Sequence, residues 1–409
     1  MKLPIYMDHN TTTPVDPDVL DAMLPYLREQ FGDASSRSHA WGWAAEEAVD
    51  DAREQVAALI GAQPEEIIFT SGATEADNLV IKGIARAYQE KGNHLITQKT
   101  EHRAVLDACR TLEKEGFAIT YLPVDEYGLV DPEAVRQAIT DQTILVSIMH
   151  ANNEVGTIQP LAEVGELVKA RGVLFHSDAV QTVGKIACNV DHLQLDLMSI
   201  SGHKMYGPKG VGALYVRKTR PRRIKLVPLF EGGGHERGLR SGTLNVPGIA
   251  GLGKACEICR GVWREETERL TRLRGRFVER ITQGLDHIHL NGHPTQRLPN
   301  NINLSLAYVE AESLIMGLKD IACSSGSACT SSTLEPSYVL RAMGLDEALV
   351  HASIRFGLGR WTTEAEVDYT VQRVVERAKR LREMSPQYEM LKHVQGSTFK
   401  VPLNVEREP

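Results

Sequence analysis

Short apolar runs alternate with longer stretches of helical period along the first 250 residues. Glu66-Ile-Ile-Phe-Thr70 precedes an amphipathic stretch from Thr74 to Tyr88, and His94-Leu-Ile-Thr97 precedes one that starts near His102. Ile144-Leu-Val-Ser-Ile148, Val173-Leu-Phe-His-Ser177 and Leu197-Met-Ser-Ile200 follow. Runs this short and this apolar read as strands buried on both faces, with the helical stretches as crossovers. The pattern predicts an α/β domain around a mostly parallel sheet.

The pattern changes near residues 255–265, where a long charged helical stretch runs through Trp263-Arg-Glu-Glu-Thr-Glu-Arg-Leu270. Beyond it lie Asn301-Ile-Asn-Leu-Ser305, a helical stretch after Glu310 and another from Thr363 to Arg382. These predict a smaller α+β domain. Pro14 and Pro17 mark the start of a new helix, so the residues before them are expected to join that small domain. The predicted division is 15–260 for the large domain, and 1–14 with 261–409 for the small one. No internal repeat or low-complexity tract interrupts the pattern.

Composition narrows the class. A chain of 409 residues, 42% of them hydrophobic, sustains a sizeable core and two domains. A formal net charge of −7 argues against nucleic acid as the main partner. No apolar run reaches the ~18 residues of a membrane helix, and Met1–Asp8 turns polar too soon for a signal peptide. Cys109, Cys188, Cys256, Cys259, Cys323 and Cys329 are scattered, unlike a disulfide framework, so a reducing, cytoplasmic setting is expected. Cys256 and Cys259 form a C-x-x-C pair with no second pair, and read as positions of a helix.

Open α/β sheets bind ligands beyond the C-terminal ends of their strands. Three strand ends carry suitable residues. Ser71-Gly-Ala-Thr-Glu75 opens a helix whose free N–H groups suit a phosphate, although a plain helix cap at Ser71 or Thr74 accounts for it equally. Asp178, with Gln181 after it, can hold a protonated ring nitrogen or simply cap a turn. Ser201-Gly-His-Lys204 places a lysine where a lowered pKa would favour condensation with an aldehyde, while most turn lysines are merely solvated.

In this order the three segments, with others, resemble the class V aminotransferases, and most of all the IscS/NifS-type (group I) cysteine desulfurases. The resemblance spans nearly the whole chain. It is carried by Thr70-Ser-Gly-Ala-Thr-Glu75, Thr100-Glu-His-Arg-Ala-Val105, Met149-His-Ala-Asn-Asn-Glu-Val-Gly156, His176-Ser-Asp-Ala-Val-Gln181 and Ser201-Gly-His-Lys204. Gly232-Gly-Gly-His-Glu-Arg-Gly238, Arg240-Ser-Gly-Thr243, Ser324-Ser-Gly-Ser-Ala-Cys-Thr330, Leu334-Glu-Pro-Ser-Tyr338 and Ser353-Ile-Arg355 complete it.

The resemblance implies the fold of the fold-type I pyridoxal-phosphate (PLP) transferases, with a mostly parallel seven-stranded sheet. It implies that Lys204 carries the PLP, that Asp178 pairs with its pyridine nitrogen, and that His102 stacks on the ring and helps move protons. Asn153 and Gln181 would address the ring hydroxyl, and Ala73, Thr74, Ser201 and His203 the phosphate. Thr243 would reach the phosphate from the second subunit of a homodimer. Asn153 and Arg355 would bind the carboxylate of L-cysteine; for Arg355 a structural ion pair is the alternative.

Ser324–Thr333 is nearly all Ser, Gly, Thr and Ala around Cys329, which sits without the apolar neighbours of a buried structural thiol. An inert surface cysteine is the plain reading. The resemblance makes Cys329 the residue that becomes a persulfide and passes sulfur to an IscU-type iron–sulfur scaffold or to other acceptors. It implies no metal site of the protein's own, beyond transient ligation by Cys329 of a scaffold-bound 2Fe-2S cluster. The basic stretch Arg217–Lys225 would suit an acidic partner or simply be solvated. Departures are Thr11, Gly32-Asp-Ala-Ser-Ser36 and the tail after Ser385-Pro386. The rival functions are a class V aminotransferase, a selenocysteine lyase and a non-catalytic assembly protein.

Overall fold

The computed structural model describes residues 2–218, 223–325 and 336–394. The chain opens with β1 (Ile5–Tyr6), α1 (Pro17–Arg28) and α2 (Ala40–Ile60). Strands and helices then alternate through β2 (Ile67–Thr70), α3 (Ala73–Tyr88), β3 (His94–Gln98), α4 (Arg103–Lys114), β4 (Ala118–Leu122), α5 (Pro132–Ala138), β5 (Thr143–Ser147), α6 (Leu161–Ala170), β6 (Leu174–Asp178), β7 (Leu197–Ser201) and β8 (Gly212–Val216). The long α7 (Val246–Gly284) leads to β9 (Ile288–Leu290), β10 (Asn301–Leu306), α8 (Ala311–Gly317), β11 (Ile321–Ala322) and β12 (Ser324–Ser325). The last elements are α9 (Tyr338–Ala342), α10 (Glu347–His351), β13 (Ser353–Gly357), α11 (Glu364–Glu383) and α12 (Pro386–Val394).

β2 to β8 form one seven-stranded sheet in the order β2-β8-β7-β6-β5-β3-β4. β8 runs antiparallel to both neighbours and the other pairs are parallel, as the apolar runs predict. Two of its strands escape the sequence reading. β4 is a partly exposed edge strand and lacks a continuous buried run. β8 follows β7 without a helical crossover, so it breaks the alternation that identifies the others.

One face of the sheet is covered by α2, α6 and the first half of α7, with Val56, Phe69, Phe175, Met198 and Cys256 in the shared core. α3 and α4 cover the other, through Leu79, Ile84, Val105 and Leu112. A separate core joins the second half of α7 (Leu270, Phe277, Ile281) to β10, β13 and α11. Residue 260 therefore falls inside a continuous helix whose two halves serve two cores. The apolar stripe changes partner there, and that is what the composition shift near 255–265 reflects. Cys256 and Cys259 are buried free thiols on the first half. Ile5 and Met7 pack in the second core, where β1 pairs in parallel with β11.

Local chemistry fixes the strand ends that matter. The turn from β2 to α3 passes through Gly72 at φ 150°, a backbone shape that disfavours a side chain. Gly212 lies against it: a Cβ there would stand 2.7 Å from the Gly72 Cα and 2.4 Å from the Ile200 carbonyl oxygen. Glu236 anchors the stretch before α7 beneath β2. Its carboxylate accepts from Arg53 Nη2 at 2.8 Å, Arg53 Nη1 at 3.0 Å and the Phe69 amide at 2.7 Å. Both side chains are buried, so breaking the pair strands a charge. Glu236→Gln is expected to lower the unfolding free energy by about 3 kcal/mol, read as a lower urea midpoint at unchanged slope.

Candidate active site

The parallel strands β3, β5, β6 and β7 all end on one edge of the sheet, and a cavity of about 540 Å³ opens there. Nine of the predicted residues line it: Ala73, Thr74, His102, Asn153, Asp178, Gln181, Ser201, His203 and Lys204. Thr243 does not line it; it lies exposed just before α7. Arg355 sits behind the wall. Cys329 lies outside the described residues, as does the tail beyond residue 394.

Each side chain is set by the end of an element. α3 begins at Ala73 with Gly72 as a cap that contributes no side-chain hydrogen bond, so the first N–H groups of the helix face the cavity uncapped. The same turn is braced from outside, where Glu75 accepts from the Ser71 amide at 2.8 Å and from Arg240 at 3.0 Å. His102 caps α4: its Nδ1 accepts from the Ala104 amide at 3.2 Å. Asp178 ends β6. Its Oδ1 accepts the Val180 amide at 3.0 Å. Burial raises its pKa, while His102 and Lys204 pull it back down.

A strap of backbone closes the cavity from above. Lys204 Nζ donates to the carbonyl oxygens of Asn10 at 2.8 Å and Thr11 at 2.6 Å. Gln181 Nε2 donates to the Asn10 carbonyl oxygen at 3.0 Å, and Thr12 Oγ1 meets His203 Nδ1 at 3.1 Å. Burial pushes His203 down to about 4, and Lys204 adds to the shift, so its imidazole stays neutral at ordinary pH. Arg355, on β13, donates to the Asn153 carbonyl oxygen at 2.8 Å, Asp8 at 3.0 Å, Thr11 Oγ1 at 2.7 Å and Ser324 Oγ at 2.9 Å. The ion-pair reading of Arg355 is thus present: it pairs with Asp8, is buried and does not line the cavity.

Sequence reasoning missed several residues. Thr11 stands out only as a departure from the pattern, and the backbone carbonyls of residues 10 and 11 carry no sequence signal at all. Asp77 and Glu101 are wholly buried carboxyls near Asp178, and burial raises the pKa of each. Asp77 could have been flagged, because it falls on the apolar face of α3 with Val80, Ile81 and Ile84. The basic stretch is partly committed: Arg217 donates to Asp191 at 2.6 Å and to the Leu195 carbonyl oxygen at 2.8 Å.

The aminotransferase class-V family model matches residues 5–370. The chain belongs to the class-V aminotransferase family. It is 59% identical over 392 residues to the cysteine desulfurase IscS of Anaeromyxobacter sp. (strain Fw109-5), covering 96% of each. Among solved structures, a NifS-like protein superposes with TM-score 0.84 at 39% identity, over 91% of this chain and 98% of that one. SspA in complex with cysteine superposes with TM-score 0.77 at 37% identity, over 88% of this chain and all of that one. These likenesses agree with the class-V fold. Among the described residues no helix is long and apolar enough to cross a membrane.

Glu154, next to Asn153, is buried and accepts from Ser337 Oγ at 2.5 Å, tying the 149–156 loop to α9. Burial pushes its pKa up from 4.5 to about 7. The folded state therefore holds a proton that the unfolded chain has lost above pH 4.5. That stability is complete below pH 4.5 and disappears as pH rises through about 7. Unfolding free energy is expected to fall by about 3 kcal/mol between pH 4.5 and 8 in the native protein relative to Glu154→Gln, measured by urea denaturation across that range.

Proposed function

We propose that the protein is a PLP-dependent cysteine desulfurase that takes sulfur from L-cysteine, releases L-alanine and carries the sulfur as a persulfide on Cys329. The observation behind this reading is the meeting of Lys204, Asp178, His102 and the uncapped start of α3 in one cavity, within a class-V chain. The donor set fits the cofactor. The N–H groups of Ala73 and Thr74, with Ser201 and His203, suit a phosphate; Asp178 suits a protonated ring nitrogen; Asn153 and Gln181 suit a ring hydroxyl. When bound, PLP supplies an aldehyde and an electron sink for the charge left at Cα.

The chain's own residues do the remainder. Lys204 would hold the cofactor through Nζ and would serve as the base for the Cα proton. Asp178 would favour a protonated ring nitrogen, and His102 would assist proton movement. Arg355, with Asn153, would grip the substrate carboxylate; its Nη2 already serves Asp8, Thr11 and Ser324, so the substrate would have to displace one of these acceptors. The Cys329 thiolate would attack the substrate sulfur: an S–S bond forms as the Cβ–S bond breaks, the electron pair of that bond stays with the carbon fragment, and protons added at Cβ and Cα release it as L-alanine.

The reading includes a homodimer, in which Thr243, exposed here, would complete the phosphate site of the second subunit. Residues 15–260 would hold the cofactor, while the second core would carry Arg355 and Cys329. The sulfur would pass to an IscU-type iron–sulfur scaffold and other acceptors in the cytoplasm. Docking through 217–225 would depend on residues other than Arg217, whose guanidinium is spent internally.

Cys329→Ser is expected to abolish alanine formation from L-cysteine while the cofactor absorption spectrum stays intact. Mass spectrometry of the native protein after L-cysteine should find one added sulfur on Cys329. Full activity of the variant would reject the assignment and favour an aminotransferase or lyase. Arg355→Lys should raise KM about 10- to 100-fold, the worth of one or two charge-assisted hydrogen bonds, with kcat less affected.

A further inference from the structure

One buried group near the cavity has no part in the chemistry described so far. Asp77 lies on α3 beneath the cavity floor with 0% of its surface exposed. Neither of its carboxyl oxygens has a hydrogen-bond partner among the described residues. One oxygen of Asp77, one of Asp178 and a ring nitrogen of His102 lie within 4.8 Å of one another. Two carboxylates this close inside a protein do not both ionise, because each charge raises the cost of the other.

The surroundings decide which one keeps the charge. Asp178 accepts the Val180 amide and faces His102 and Lys204, both of which favour its anion. Asp77 faces Asp178 and Glu101, which oppose a second anion. Two other polar groups stand on its side: the Ser199 side chain, which favours the anion but is outweighed by burial and by Asp178, and His176, whose Nε2 stands 3.7 Å from the Asp77 Oδ1. That imidazole is already occupied, with Ser147 Oγ 2.8 Å from Nδ1 and Ser199 Oγ 3.0 Å from Nε2. Burial also pushes His176 down to about 3, so it offers Asp77 no cation.

We propose that Asp77 is a positioning residue, a neutral carboxylic acid behind Asp178 that shares one proton with it and so keeps the cavity-facing carboxylate anionic. The proposal rests on the reading of Asp178 as the partner of a cofactor nitrogen. Asp77 touches neither substrate nor cofactor. It acts by supplying an O–H to the anion of Asp178, which reduces the energetic cost of that buried charge. A second carboxyl in this role makes the proton affinity of the ring nitrogen depend on a residue one layer behind the wall.

The test uses infrared difference spectra and the absorbance of the cofactor. In the protein without cofactor at neutral pH, native minus Asp77→Asn should show the carbonyl band of a protonated carboxylic acid. If that band is absent, Asp77 is ionised and the proposal falls. In the holoenzyme, Asp77→Asn keeps a donor at the same place and should leave the midpoint of the cofactor's absorbance-versus-pH curve unchanged. Asp77→Ala removes the donor and should move that midpoint by about one pH unit. An unmoved midpoint in Asp77→Ala would also overturn the idea. If Asp77→Ala does not fold, Asp77→Leu, of similar volume and without a donor, serves in its place. Asp178→Asn separates the two layers: an unchanged cofactor spectrum there, with the infrared band still present, would sink the reading of Asp178 and leave the carboxyl pair standing.

Discussion

Residues 5–13 tie the two cores together across the cavity, and the site depends on that strap. Its start is strand β1, paired with β11 in the core built on α7 and α11. Its end is bonded to the turn after β7, where Thr13 donates from both its amide and its hydroxyl to the carbonyl oxygen of His203. Between these anchors, two backbone carbonyls hold Lys204 and one of them also holds Gln181. Thr11 adds a hydroxyl to Arg355. Carbonyl oxygens do not titrate at ordinary pH and have no rotamers of their own, so on the acceptor side the lysine is held at no cost in side-chain freedom.

Below the strap the site runs against ordinary solvation. Asp77, Glu101, Asp178 and Glu154 are carboxyls taken out of water, and His150, His176 and His203 are imidazoles kept neutral by burial. Such groups are costly unless a function or a shared proton sustains them. Their concentration near the C-terminal edge of a parallel sheet marks where the protein accepts that cost.

Much of this was legible along the chain. Five of the seven sheet strands appear as buried apolar runs, and Ser71–Thr74, Asp178 and Lys204 stand at the strand ends where a ligand binds. β4 hid because an edge strand needs no continuous apolar run, and β8 because it returns without a helix. Arg355 illustrates the difficulty of reading single residues: the sequence offers an ion pair and a carboxylate grip as rivals, and the structure gives it Asp8 while placing it behind Asn153.

The sequence by itself determined the period of each element, the residue types at each strand end, and the family in which that order of residues occurs. These are local properties, set by side-chain volume, polarity and backbone preference. Tertiary structure alone decided that residues 10 and 11 meet residue 204, and that Asp77 faces Asp178 across a hundred residues of chain. It also decided that one helix serves two cores. Those facts depend on how twisted strands and crossovers bring distant segments to the same edge, and the chain writes no local signal for a backbone carbonyl that finds its partner only there.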